Sequence, residues 1–278
     1  MANHNILVQI QSNSVSLSPA LKRIATYVAG SPEAVIYQTI TELSEQSKSS
    51  EASVIRFCRD LGFSSFADFK MALALDLNNR EKRGRRPDPE AGGFVTQYGH
   101  KAVAAIDDTA ALLNEEALKA SVKALAKGGR IDLYGVGASS VTAAYGEYRL
   151  LRLGARAHVF SDMHLGIMSA SQLNKQDVAL CISSSGSTVD TVKAARVAKE
   201  RGATVIALTN TGKSPLASIA DITLVASSPE SPLTAGKLAS KIGQLFILDI
   251  LFGELANGKK SFEAAFQQTA DVTGGLSY

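Results

Sequence analysis

Between Cys181 and Arg196 the chain reads CISSSGSTVDTVKAAR, with Ser183, Ser184, Ser185, Ser187 and Thr188 set around one glycine directly after an apolar run. Hydroxyls and backbone N–H groups gathered where a strand gives way to a helix form a cradle for an anion. The first N–H groups of a helix lack intrahelical partners, and the helix dipole favours negative charge there. A second stretch, IDLYGVGASSVTAAYGEYRLLRLG, places Gly135 and Gly137 ahead of Ser139 and Ser140. Gly135-x-Gly137-x-x-Ser140 lacks the third glycine of the dinucleotide fingerprint, and neither turn carries a P-loop lysine. Two such turns, after two strands of one sheet, can converge on one ligand. Hydroxyls without a neighbouring Lys or Arg suit a small phosphate better than a triphosphate. The competing reading is that several of these hydroxyls only cap helices and satisfy turn backbone.

Residues able to move protons are sparse. Isomerising an aldose to a ketose needs a base between adjacent carbons and help in opening the ring, work suited to a Glu and a His. Glu147 falls in the helix after GVGASS and His164 in SDMHLGIM. Each also reads as a solvated carboxylate or a pocket-rim histidine, and neither is assigned a catalytic role. His158 and His100 have weaker claims. Cys58 and Cys181 sit in apolar runs without metal-ligand spacing, as buried thiols of a reducing compartment do. No metal and no cofactor is expected.

The elements that must position these turns are short runs rich in β-branched residues: RIDLYGVG, ARAHVF, DVALCISSS, ATVIALTN and DITLVASS. Helical segments separate most of them, the pattern of βαβ units and a parallel sheet with helices on both faces. Ligands of such sheets bind at the carboxyl ends of the strands.

Residues 16–79 instead read as helices. Ser18 is an N-cap candidate ahead of Pro19, Ser31-Pro32 opens a short second helix, and Thr39 has a capping hydroxyl. TITELSEQSKSSEASVIRFCRDLGF has the layout of a helix-turn-helix. Ser50 caps its second helix, Glu51 lies in the first turn, and Ser53, Arg56 and Arg59 share a stripe. Such a helix presents its N-terminal half to the major groove, where short polar side chains and arginines reach base edges and phosphates. The charge balance is uneven: residues 1–79 hold 6 Lys/Arg against 7 Asp/Glu, while REKRGRR from Arg80 to Arg86 adds five basic residues and one acid. That run can grip phosphates or serve as a solvated linker. REKRGRRPDPEAGG reads as a linker or hinge, and a long helix is expected from about Phe94 to Lys127.

The stretch from LSPALKRIATYVAG to SFADFKMAL resembles, nearly end to end, the N-terminal domain of RpiR-type transcriptional regulators, most specifically in SEASVIRFCRDLGF and SFADFK. The resemblance implies that Ser50, Ser53 and Arg56 lie on or beside a recognition helix. Ser49 departs from it, standing where such regulators usually carry an apolar residue. GVGASS, ISSSGST, TNTGKSPLASIADITL and SKIGQLFILDIL resemble the SIS (sugar isomerase) domain from about Gly129 to Leu255. This implies a five-stranded parallel sheet that dimerises and binds phosphorylated sugars, with Ser139, Ser183, Ser185 and Thr188 at phosphate- or sugar-contacting positions. Ser184 replaces a tyrosine or histidine often found there.

The expectation is therefore an all-α helix-turn-helix domain (1–79), a basic linker and connecting helix (80–127) and an α/β domain of SIS fold (128–278). DNA contacts fall to Ser50, Ser53, Arg56 and Arg59. Ligand contacts fall to Gly137, Ser139, Ser140, Ser183, Ser184, Ser185, Ser187 and Thr188. The function expected is that of a cytoplasmic, non-enzymatic transcription factor for sugar metabolism. It works as a homodimer or tetramer on double-stranded operator DNA, under a phosphorylated sugar effector and away from membranes. The alternative is a sugar-phosphate isomerase with an accessory helical domain. An isomerase does not need the first 80 residues, and a regulator does.

Overall fold

A computed structural model describes residues 6–7, 10, 17–84, 93–127, 129–227, 233, 236–258 and 260–274. The chain forms two compact units, residues 1–98 with 229–235, and residues 99–228 with 236–278.

The first unit is helical: α1 (Pro19–Gly30), α2 (Pro32–Val35), α3 (Ile40–Gln46), α4 (Glu51–Asp60) and α5 (Phe66–Gly84). Leu21, Ile24, Ala25 and Val28 of α1 are buried, as helical spacing requires. They join Leu43, Val54, Phe57, Cys58, Phe69 and Leu73 in one core, where Phe57 and Phe63 each meet the Phe69 ring edge-on at 5.8 and 5.6 Å. Ser18 holds the N-cap position of α1, but its hydroxyl makes no capping bond; Pro19 alone marks that start. At α3 the cap is complete: Thr39 Oγ1 accepts from Glu42 N at 3.2 Å, and Glu42 Oε2 accepts from Thr39 N at 2.8 Å. The last helix runs on through Gly84, into the stretch expected to be linker. Nothing between Asp76 and Arg83 breaks a helix, and the first prolines wait at 87 and 89. Of the basic run, Arg80–Gly84 continue that helix as backbone; its side chains and residues 85–86 lie outside the described residues.

The second unit is α/β. Helices α6 (Phe94–Leu112, beginning in the first unit) and α7 (Glu115–Leu125) precede β1 (Ile131–Tyr134), α8 (Ala138–Arg152), β2 (Ala157–Phe160) and α9 (Met163–Ala170). Then come β3 (Val178–Ile182), α10 (Val189–Glu200), β4 (Thr204–Thr209), α11 (Pro215–Ile219), β5 (Ile222–Val225), α12 (Leu238–Asn257) and α13 (Lys260–Gly274). The single helix expected over 94–127 is two. Asn114 Oδ1 accepts from Ala117 N at 2.9 Å, and Glu115 and Glu116 complement the new N-terminus.

The five strands pair in parallel in the order β2-β1-β3-β4-β5. Alternate side chains divide between two faces. Ile131, Leu133, Val178, Leu180, Ile182, Ile206 and Leu208 pack with α7, α8 and α12. Tyr134, Ala179, Cys181, Val205 and Ala207 pack with α9, α10 and α11. One charge is buried within the sheet. Asp132 stands 3.2 Å from Arg130 Nε and accepts from Tyr134 Oη at 2.9 Å and Ser169 Oγ at 2.6 Å. That network ties α9 to β1, and burial beside Asp132 pushes the Tyr134 hydroxyl pKa far up. Among the described residues no helix is long and apolar enough to cross a membrane, and no group of three or more His, Cys, Asp or Glu could hold a metal.

Candidate functional site

Both serine turns leave the carboxyl ends of neighbouring strands, since β1 and β3 pair directly. The turn after β1 bends at Gly137, whose φ of 57° and ψ of −131° suit glycine alone. The turn after β3 bends at Gly186 (φ 60°), where a Cβ would stand 2.1 Å from Ser214 Oγ and 2.5 Å from Ser214 Cβ. The end of β4 and the residue after it hold this turn: Thr209 Oγ1 donates to the Ser184 carbonyl at 3.2 Å, and the Asn210 backbone N donates to the same oxygen at 2.9 Å.

The two turns converge on one ammonium group. Lys241, in the first turn of α12, donates from Nζ to Ser139 Oγ at 3.3 Å and, in a shorter bond, to Ser184 Oγ. Gln244, one turn on, donates from Nε2 to Ser184 Oγ at 3.2 Å and to Asn210 Oδ1 at 2.6 Å. Ser139, Ser183 and Ser184 are all buried. The cradle thus contains a cation that the neighbouring sequence lacks, supplied from 57 residues beyond Ser184.

The other hydroxyls fall into two groups. Ser183 Oγ and Thr188 Oγ1 share a hydrogen bond at 2.9 Å. Thr188 makes no side-chain cap although it holds the N-cap position of α10. Ser140, Ser185 and Ser187 are engaged with their own turns. Ser140 Oγ donates to the Gly137 carbonyl at 2.7 Å, Ser187 Oγ donates to the Ser185 carbonyl at 3.2 Å, and Ser185 Oγ accepts from Ser187 N at 3.2 Å.

A pocket of about 470 Å³ is lined by residues that follow from both turns: Val136 from the first, and Asp190 and Lys193 just past Thr188. Ser161, Met163, His164, Ile167 and Met168 complete it. His164 therefore borders a cavity, but Glu147 is not in its lining. Glu147 Oε1 instead accepts from Val159 N at 3.0 Å and lies 3.9 Å from His158 Nδ1, on the β2 side of α8. The two candidate proton carriers lie in different places: Glu147 is bonded beside β2, and His164 lines the pocket.

In the helical unit α3 and α4 form the expected pair. Ser50 Oγ accepts from Ser53 N at 3.2 Å and shares a bond with Ser53 Oγ at 2.9 Å. Val54, Phe57 and Cys58 are buried while Arg56 and Arg59 are exposed, so the arginines share the solvent face. Thr41 Oγ1 donates to Glu51 Oε1 at 2.6 Å, joining the two helices. The turn between them holds Lys48 at a φ of 51°, and Arg23 of α1 donates to the Ser47 carbonyl at 3.3 Å and to the Lys48 carbonyl at 2.8 Å. Ser49, the departure from the expected pattern, is accommodated by a 2.8 Å bond to Ser47 Oγ.

Comparison with known proteins agrees with both halves. Residues 4–80 match the helix-turn-helix domain of the rpiR family, and residues 124–253 match the SIS domain. An uncharacterised HTH-type transcriptional regulator of Caldanaerobacter subterraneus is 39% identical over 92% of each chain. The regulator YbbH of Bacillus subtilis is 34% identical over 88% of each. Among solved structures, the Vibrio vulnificus NanR protein complexed with ManNAc-6P superposes with a TM-score of 0.91 at 38% identity, covering 99% of this chain and all of that one. The chain belongs to the RpiR family of helix-turn-helix transcriptional regulators, and its second domain has the SIS fold.

Proposed function

We propose that this regulator senses a phosphorylated sugar at the two serine turns and changes its grip on operator DNA in response. The observation that carries the reading is the convergence of Ser139 and Ser184 on Lys241. Hydroxyls, helix N-termini and one cation around a common point form a receptor for a phosphate dianion. Ser183, Ser185 and Thr188 complete it, with Gly137, Ser140 and Ser187 shaping the turns. In this reading the pocket that Val136 shares with α9 and α10 takes the sugar, with Ser161, His164, Asp190 and Lys193 offered to its hydroxyls and Met163 and Ile167 to its apolar face. The likeness to NanR makes N-acetylmannosamine 6-phosphate the first candidate. The separate placement of Glu147 and His164 favours sensing over isomerisation.

Ser50, Ser53, Arg56 and Arg59 face the DNA in this reading. The protein acts in the cytoplasm as a homodimer presenting two recognition helices to half-sites about one helical turn, or a multiple, apart. The test is a thermal-shift screen of the full chain against phosphosugars, N-acetylmannosamine 6-phosphate first, with hits repeated in an operator-binding assay. A ligand at a hundred times its Kd stabilises the fold by about 2.7 kcal/mol. A hit that also changes operator affinity is the expected result. A phosphosugar converted to its isomer with operator affinity unmoved would overturn the proposal.

A further inference from the structure

The first two turns of α12 touch two neighbours at once. Toward the cradle, Lys241 and Gln244 hold Ser184, and Asn210 Nδ2 donates to the Ser240 carbonyl at 3.1 Å. Gln244 is fully buried, and its Oε1 has no hydrogen-bond donor among the described residues. Toward α6, the same stretch presents Gly243. A Cβ there would stand 2.6 Å from Thr109 Oγ1, 3.3 Å from the Ser227 carbonyl oxygen and 3.4 Å from Ala226 Cβ. Thr109 is fully buried in α6, donates to the Ala105 carbonyl at 2.5 Å and accepts from Ser227 N at 3.0 Å. Its hydroxyl thus fastens α6 to the end of β5, and glycine lets α12 lie against that fastening.

We propose that the Gly243–Thr109 contact is the joint through which occupancy of the cradle is passed to α6, the helix by which the chain leads back to the DNA-binding domain. The inference rests on the phosphosugar reading above. A phosphate that takes over bonds from Lys241 alters what holds the first two turns of α12. Between Gly243 and Thr109 there is backbone on one side and a doubly bonded hydroxyl on the other, with no flexible side chain to absorb a shift. Close-packed contacts of this kind transmit displacement rather than damp it. The coupling runs both ways, so operator DNA changes sugar affinity by the same factor.

The experiment measures, in the full chain, the Kd for N-acetylmannosamine 6-phosphate or the best hit of the phosphosugar panel, and operator affinity with and without it. Gly243→Ala drives a methyl into Thr109 Oγ1, and Thr109→Ala removes the fastening hydroxyl. Each is expected to keep the sugar Kd within about threefold while the sugar-induced change in operator affinity, about 5–150-fold in such systems, falls to less than twofold. Thr109→Ser keeps the hydroxyl and the response, and the double alanine variant, freed of the clash, responds more than Gly243→Ala alone. Thr109→Ala carries the test if Gly243→Ala does not fold. A wild type that responds while both single variants respond equally overturns the joint and leaves the effector reading intact. Sugar affinity lost together with the response would show that the contact only holds the cradle in shape, which also overturns it. A wild type that binds no phosphosugar overturns the effector reading, and the joint with it.

Discussion

Replacing Lys241 by alanine removes the ammonium group shared by Ser139 and Ser184. Hydrogen bonds to charged groups contribute about 1.5–3 kcal/mol each, and a phosphate dianion held by Lys241 makes at least one. At about 1.4 kcal/mol per tenfold, phosphosugar Kd should rise roughly 10- to 150-fold. Lys241→Met, which keeps most of the stem, should lose as much; Lys241→Arg, which keeps the charge, should lose less. Calorimetric titration of the full chain at low and moderate salt reads both the affinity and its ionic component, and the salt dependence should weaken in the alanine variant. Serine hydroxyls and backbone N–H groups remain, so binding is weakened rather than abolished. A Lys241→Ala protein that melts like the wild type and binds within about twofold of it would refute the placement of phosphate at the cradle, because a charge at the contact point cannot be that indifferent.

Further outcomes follow from single contacts. Gly186→Ala should cost about 2–4 kcal/mol, from a positive φ and a Cβ 2.1 Å from Ser214 Oγ, and should lose phosphosugar binding; a melting temperature within two degrees of wild type, by the order of about 1 kcal/mol, would contradict it. Burial holds Lys70 down at about 8, partly offset by Glu42. The folded chain then binds fewer protons than the unfolded chain between that value and the ordinary 10.5, so Lys70 costs stability below pH 8 and the cost fades as pH rises through this window. Between pH 7 and 9.5 the stability of wild type relative to Lys70→Met should therefore rise by up to about 2 kcal/mol, and an unmoved difference in melting curves would count against it. Burial pushes the Cys58 thiol up to about 12 and Cys181 further, so a thiol reagent at pH 7.5 should label either only as fast as the protein unfolds; prompt labelling of the native chain would contradict both placements.

What could be read from the residues was local. The strand runs are short, β-branched and punctuated by helices, and caps such as Thr39 and Ser50 use side chains within three residues of their targets. The convergence of two turns followed because neighbouring strands of a parallel sheet deliver their loops to one edge. Lys241 was not legible, because its partner Ser184 follows β3, 57 residues away, and sequence distance hides spatial contact. A lone cation near the start of the mostly apolar SKIGQLFILDIL is the signal that could have found it. Asn114 followed by two glutamates was a readable N-cap hidden inside a continuous helical pattern. The inward turn of Ser140 toward Gly137 was the local bonding that competes with any ligand for a serine hydroxyl.

The second helix of the helix-turn-helix, α4, divides its labour cleanly. Val54, Phe57 and Cys58 anchor it, Arg23 reaches from a different helix to brace the preceding turn, and the outward residues Ala52, Arg56 and Arg59 bear none of that burden. Drift among paralogues can thus rewrite the outward letters without disturbing the scaffold. If α4 reads DNA as proposed, a duplicated gene could acquire a new set of promoters while keeping its second domain, and a designer could graft one binding specificity onto another by exchanging a handful of exposed positions.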